Sequence, residues 1–184
     1  MCLHRLNKIH RDKIVQITEA LLSEPGEIRR FIQQAVDHWP HLLAFHFTLH
    51  SVEGNIDERQ IHAFYRAFYR QVSTFIIQQS HAGYPSLPVV LRWLREKQGG
   101  AAERCLLLFN QALICPSRAS VTVDEGGSQL TELVQQVWRT INSDGQCRVE
   151  SYFRVTRSGT LDQFVALKTT AQSFMLPVIA TIVR

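Results

Sequence analysis

Between residues 28 and 76 the apolar period switches twice, and that constrains the fold more than any other feature of the chain. Ile28, Phe31, Ile32, Ala35, Val36 and Trp39 recur as the face of a helix that ends against Pro40. The period falls to two across Leu43, Phe45, Phe47 and Leu49, which leaves His46, Thr48 and His50 on the alternate face, turned to solvent. Helical spacing returns at Ile61, Phe64, Phe68, Val72, Phe75 and Ile76, on a helix that Asn55 or Asp57 can cap. Helix, half-exposed strand and long helix in that order call for helices packed on a sheet.

The rest of the pattern extends this plan. Ile14, Ile17, Leu21 and Leu22 stand at helical spacing before Pro25-Gly26, so the chain is expected to open with a helical pair over residues 1–40. A loop from His81 to Pro88 leads into a strand over Val89 to Arg95. The Gly99-Gly100 turn then returns the chain as an apolar central strand from Arg104 to Asn110, closing an antiparallel hairpin. After an irregular segment through Pro116 and Gly126-Gly127, Leu130, Leu133, Val134, Val137, Trp138 and Ile141 mark a third helix, stopped at Asn142-Ser143-Asp144-Gly145. From Cys147 to Arg157 the alternation puts Val149, Ser151, Phe153 and Val155 on one strand face and Arg148, Glu150, Tyr152, Arg154 and Thr156 on the other. Leu161, Phe164, Val165, Lys168 and Ala171 make a last helix before Pro177. The expectation is one α+β domain over residues 1–184, an antiparallel sheet covered by helices, with residues 41–184 as its sheet-and-helix core. Phe45, Phe47, Phe64, Phe68, Leu107, Phe109 and Trp138 should share one buried cluster.

Composition narrows the functional classes. No run of 18 apolar residues exists to span a membrane, and the basic start Met1 to Lys8 leads into Arg11, Asp12 and Lys13 instead of a signal-peptide core, so a cytoplasmic protein is expected. Cys2, Cys105, Cys115 and Cys147 are scattered with no C-x-x-C pair, which argues against zinc or a disulfide framework and makes Cys105 a small buried hydrophobe. A net charge of +4 and a pI near 9.1 permit an acidic partner without demanding one. No phosphate loop, nucleophile elbow or H-E-x-x-H motif is present, and no cofactor is expected.

Several local motifs fall in a recognisable order: the strand Phe47-Thr48-Leu49-His50, a long helix after the acidic turn at Asp57, Trp93-Leu94-Arg95-Glu96, Leu106-Leu107-Leu108-Phe109-Asn110, and a later helix bearing Trp138. This order, from about Ile28 to Phe164, resembles the YagK/YfjJ-domain and inovirus replication-protein family, relatives of the HUH endonucleases that start rolling-circle replication. The resemblance implies a phage, prophage or other mobile-element origin and a metal-binding His-x-His pair at Ala102-Glu103-Arg104, where no histidine stands. It also implies a nucleophilic tyrosine on the last helix, yet Leu161 to Met175 contains none. By that comparison the chain keeps the scaffold and lacks the chemistry.

No other residues plainly restore it. His46 and His50 lie roughly 13 Å apart along one strand, too far to share an ion, and His38 and His41 merely flank Pro40. A cation site from His50, Glu96 and Glu103 requires all three to converge. The surface candidates are Arg92 or Arg95 on the Trp93 strand and Arg148, Tyr152 and Arg154, with Arg157 beyond, where cations and an aromatic alternate as in single-strand binders. Arg59, Arg66 and Arg70 on the long helix form a second basic patch, which solvation alone would also explain. The expected function is non-catalytic binding of nucleic acid or a nucleoprotein complex. The alternatives are an anti-CRISPR-like inhibitor of a host defence complex, acting by protein–protein contact, and a residual metal-dependent nickase.

Overall fold

The computed structural model describes residues 14–81, 88–96, 99–113 and 123–184. Its elements run β1 (Ile17–Leu22), α1 (Pro25–His38), β2 (His41–His50), α2 (Glu58–His81), β3 (Leu91–Glu96), β4 (Ala102–Asn110), α3 (Val123–Ile141), β5 (Gln146–Thr156), α4 (Leu161–Gln172) and β6 (Val178–Val183), with a short 3-10 turn at Gln111–Leu113. The six strands form one antiparallel sheet in the order β1-β6-β3-β4-β2-β5. From β2 to β5 the chain runs βαββαβ with strand order β3-β4-β2-β5, the topology of a ferredoxin-like split βαβ unit. Strands β6 and β1 extend that unit beyond β3.

Local chemistry sets the element ends. Glu27 accepts hydrogen bonds from the backbone of Ser23 and Glu24 at 2.7 and 3.1 Å, and Pro25 opens α1. Asp57 and Gln60 exchange reciprocal side-chain-to-backbone bonds at the start of α2, at 2.8 and 3.0 Å, so Asp57 is the cap and Asn55 is not. The β3–β4 turn uses Gly99 and Gly100 at φ of 64° and 134°, where a side chain would be strained. Gly145 admits the Trp138 indole so closely that a Cβ there would stand 2.4 Å from its nitrogen. That indole donates to the His50 carbonyl at 2.9 Å, tying the end of α3 to the end of β2.

The sheet has two covered faces. Under α2 and α3 lies an aromatic core that contains Phe45, Phe47, Phe64, Phe68, Leu107, Phe109 and Trp138, as the periodicity requires. Under α1 and α4 lies a smaller core of Ile28, Phe31, Ile32, Leu42, Ala44, Leu106, Leu108 and Leu167.

Four sequence expectations change. The N-terminal helical pair is a strand followed by a helix: Ile17 to Leu22 pairs with β6, so tertiary pairing overrides a local helical spacing. Strand β2 is central and buried on both faces, because α1 and α4 cover the side on which His46 stands, and His46 is only 7% exposed. Strand β3 likewise lies between β6 and β4 and presents no open face. Helix α3 begins at Val123 and includes Gly126-Gly127 in place of an irregular approach. The basic N-terminus, residues 82–87 of the predicted loop, Cys2, Cys115 and Pro116 lie outside the described residues.

Candidate functional site

The β3–β4 hairpin carries Arg95-Glu96 at the end of one arm and Glu103-Arg104 at the start of the other. Alternation sends Arg95 and Glu103 to the α2 face, with Trp93 and Cys105, and Glu96 and Arg104 to the α1/α4 face, with Leu94 and Leu106. Each arginine meets a carboxylate from the opposite arm, and the thickness of the sheet separates the two clusters.

On the α2 face, Arg95 is 2% exposed and pairs with Glu58 at 2.6 Å and Glu103 at 3.4 Å. Burial opposes its charge, but the Tyr65 phenol and the two carboxylates together reverse the sign and hold the guanidinium above its usual pKa. For Glu103, burial raises the carboxyl pKa and the neighbouring guanidinium pulls it back only in part. On the other face, Arg104 Nε donates to His46 Nε2 at 2.9 Å and Nη1 donates to Glu96 at 3.0 Å. Nη1 and Nη2 also reach the Ser173 carbonyl and hydroxyl at 2.9 and 2.7 Å, and the guanidinium stacks 4.6 Å from the Phe174 ring centre. Glu96 accepts the Met175 N–H at 3.1 Å as well. Burial, then Arg104, depress the His46 pKa, so the ring is neutral and accepts at Nε2.

The residues singled out from the sequence do not assemble as expected. Arg95 is buried in its ion pairs. Half-buried Arg92 bonds Gln34 at 3.3 Å and lies 5.4 and 5.9 Å from the Phe31 and Trp39 ring centres, with its pKa lowered by burial. The face proposed for Arg148, Tyr152 and Arg154 is divided by a β-bulge: Phe47 opposes Val149 and His46 opposes Ser151, which leaves Glu150 as the extra residue. Arg148, opposite Thr48, therefore belongs to the α1/α4 side, whereas Tyr152, opposite Phe45, and Arg154, opposite Leu43, belong to the α2/α3 side. The Tyr152 ring packs edge-on against Phe45 at 5.9 Å and against Gly127, where a Cβ would come within 2.9 Å. Arg148 is exposed and pairs with Glu150 at 3.4 Å. Exposed Arg157 bonds the Asp37 carbonyl, and its own N–H reaches the Pro40 carbonyl at 3.0 Å.

His50, Glu96 and Glu103 do not converge either. Glu96 and Glu103 stand on opposite faces, each held by an arginine, and no group of three metal-ligating side chains occurs among the described residues. On β4, Ala102 offers no ligand, and Arg104 places a cation against Glu96 and His46. A cavity of about 350 Å³ between α2 and α3, bordered by Phe68, Phe75, Leu113 and Leu130, has no titratable group among its described lining residues. Burial raises the thiol pKa of Cys105, and it pushes that of Cys147 up to about 12, so neither is an activated nucleophile. The sequence reading missed His46, Glu58 and Ser173 as partners. Only the mirrored Arg-Glu and Glu-Arg pairs across a predicted hairpin signalled the clusters.

The exposed face of α2 remains. Arg59, Arg66 and Arg70 project along one stripe, all exposed, and none has an ion-pair partner among the described residues. The carboxylate beside them, Glu58, is bound to Arg95.

Fold and site together define an α+β domain built on a ferredoxin-like core, with paired charges inside the sheet layers and a basic helix outside. The model of a family described as "Uncharacterised conserved protein UCP030791" matches residues 15–154, and the chain belongs to that family. No curated protein and no solved structure matches the chain.

Proposed function

We propose that this protein binds nucleic acid without acting on it chemically, and grips the phosphate backbone with the outward face of α2. The observation that carries this reading is the Arg59, Arg66 and Arg70 stripe. At the helical rise it extends about 16 Å, long enough to follow a backbone instead of one phosphate. Three guanidinium groups with no ion-pair partner among the described residues can meet phosphate without breaking an internal pair, and they release counterions on contact. The non-catalytic half of the proposal is supported by the clusters described above, in which the polar groups of the hairpin neutralise one another. The resemblance to mobile-element replication proteins agrees with this reading: a replication scaffold that lost its metal pair and its tyrosine would keep affinity for nucleic acid.

Fluorescence anisotropy with labelled single-stranded and duplex DNA and RNA across a salt series tests the proposal. Binding should weaken with salt, and replacing Arg59, Arg66 and Arg70 by alanine should flatten the log–log slope by roughly 2 to 3 units. Arg148→Ala should change it little. Absence of salt-dependent binding by the unaltered protein would sink the reading and leave protein–protein inhibition as the better account.

A further inference from the structure

Helix α4 is the least anchored helix among the described residues. Of its twelve residues only Leu167 and Ala171 are buried, and Phe174, one turn beyond, completes the contact. By contrast α1, two residues longer, buries Ile28, Phe31, Ile32, Ala35 and Val36. An element that buries so little apolar surface opens at low free-energy cost. What fastens its C-terminal end is Arg104, through the Ser173 carbonyl and hydroxyl and the Phe174 ring. Arg104 is aimed in turn by two acceptors, Glu96 and the neutral imidazole of His46, whose ring lies 5.6 Å from that of Phe174.

We propose that His46 and Arg104 form a proton-operated latch that fastens the end of α4 to the sheet and releases it in acid. A proton from solvent that binds His46 Nε2 occupies the lone pair accepting the Arg104 Nε–H. The hydrogen bond is lost, and two cations are left about 3 Å apart in a half-buried site. The charged groups that act on His46 are Arg104 from β4, which opposes protonation, and Glu150 from β5 and Glu96 from β3, which favour it. Ser173 and Phe174 supply no titratable group. Burial and Arg104 outweigh the two carboxylates, so the closed state resists the proton. The open state takes it near the ordinary histidine value of about 6.5. The open state therefore binds more protons below that pH, and acid favours opening. One pH unit below 6.5, the closed-to-open ratio can fall by up to about tenfold.

Hydrogen exchange of the full chain at pH 7.5 and 5.5, corrected for intrinsic exchange and referred to α2, reads the latch directly. In the unaltered protein, Leu161–Gln172 should lose up to about tenfold more protection on acidification than α2 does. His46→Gln, which keeps an acceptor and removes the titration, should abolish the difference. Acid loss in α4 that persists in His46→Gln, or that never exceeds the loss in α2, overturns the proposal. If His46→Gln does not fold, nitrogen chemical shifts of the wild-type imidazole decide: protonation only below about pH 6.5 supports the latch, and a ring already protonated at pH 7.5 rules it out.

Discussion

Arg95 and Arg104 sit nine residues apart on one hairpin, each with a carboxylate from the other arm, and they do different work because different elements cover them. Arg95 lies under the start of α2, a long helix with a deep apolar face, and is sealed between Glu58 and Glu103 at 2% exposure. Arg104 lies under the end of α4, a thinly anchored helix, and remains 29% exposed at its side chain. The closed cluster consists of one guanidinium and two carboxylates. The open one includes an imidazole whose protonation burial and Arg104 oppose, and it reaches across to a segment far along the chain. An ion pair acts as a structural pin or a responsive joint according to the strength of its cover.

The contrast predicts unequal costs. Arg95→Ala should destabilise the domain most, by about 3–5 kcal/mol in urea unfolding, because Glu103 is left buried without a counter-charge. Arg104→Ala should cost about 1.5–3 kcal/mol, the range for hydrogen bonds to charged groups, with the loss of exchange protection concentrated in α4. Equal costs, or an unselective effect of Arg104→Ala, would erase the distinction.

The two clusters should also respond to pH with opposite signs. The His46 pKa is lowered in the folded state, so its contribution is complete above about 6.5 and is lost as the pH falls below it, by up to about 1.4 kcal/mol per unit. Glu103 has a raised pKa, so the folded state binds the extra proton, and stability falls as the pH rises through the range just above about 4.3. In thermal melts between pH 4 and 8, His46→Gln should flatten the first trend and Glu103→Gln the second. A shared sign would show that one of the two environments is misread. Arg70→Ala supplies the floor for both comparisons: on the exposed face of α2 it should change stability by less than about 0.5 kcal/mol, whatever it does to nucleic-acid affinity.

How much of this was legible in the sequence depended on the range of the forces involved. The faces of α2 and α3, the β3–β4 hairpin and the aromatic core were readable, since each follows from apolar residues repeating within a few turns or strand steps. Strand β6 went unread although Val178-Ile179-Ala180-Thr181-Ile182-Val183 is rich in β-branched residues, and β1 was read as a helix. Those two strands pair with each other, Ile17 beside Val183, and neither shows its role without the other. On β5 the alternation was correct as a pattern and misleading as a face, because one extra residue, Glu150, turns Arg148 away from Tyr152 and Arg154.

The sequence by itself determined the element types over most of the chain and the side of α2 that faces the core. Those are local properties, set by the spacing and identity of neighbouring residues. Only the tertiary structure decided which charges are partners and which are free. Arg104 meets Ser173 across 69 residues and Trp138 meets His50 across 88, and no periodicity encodes such distances. It also decided that Arg95 is an internal pin and Arg59, Arg66 and Arg70 are surface. A guanidinium has the same chemistry in both settings, and the amount of water around it sets its role.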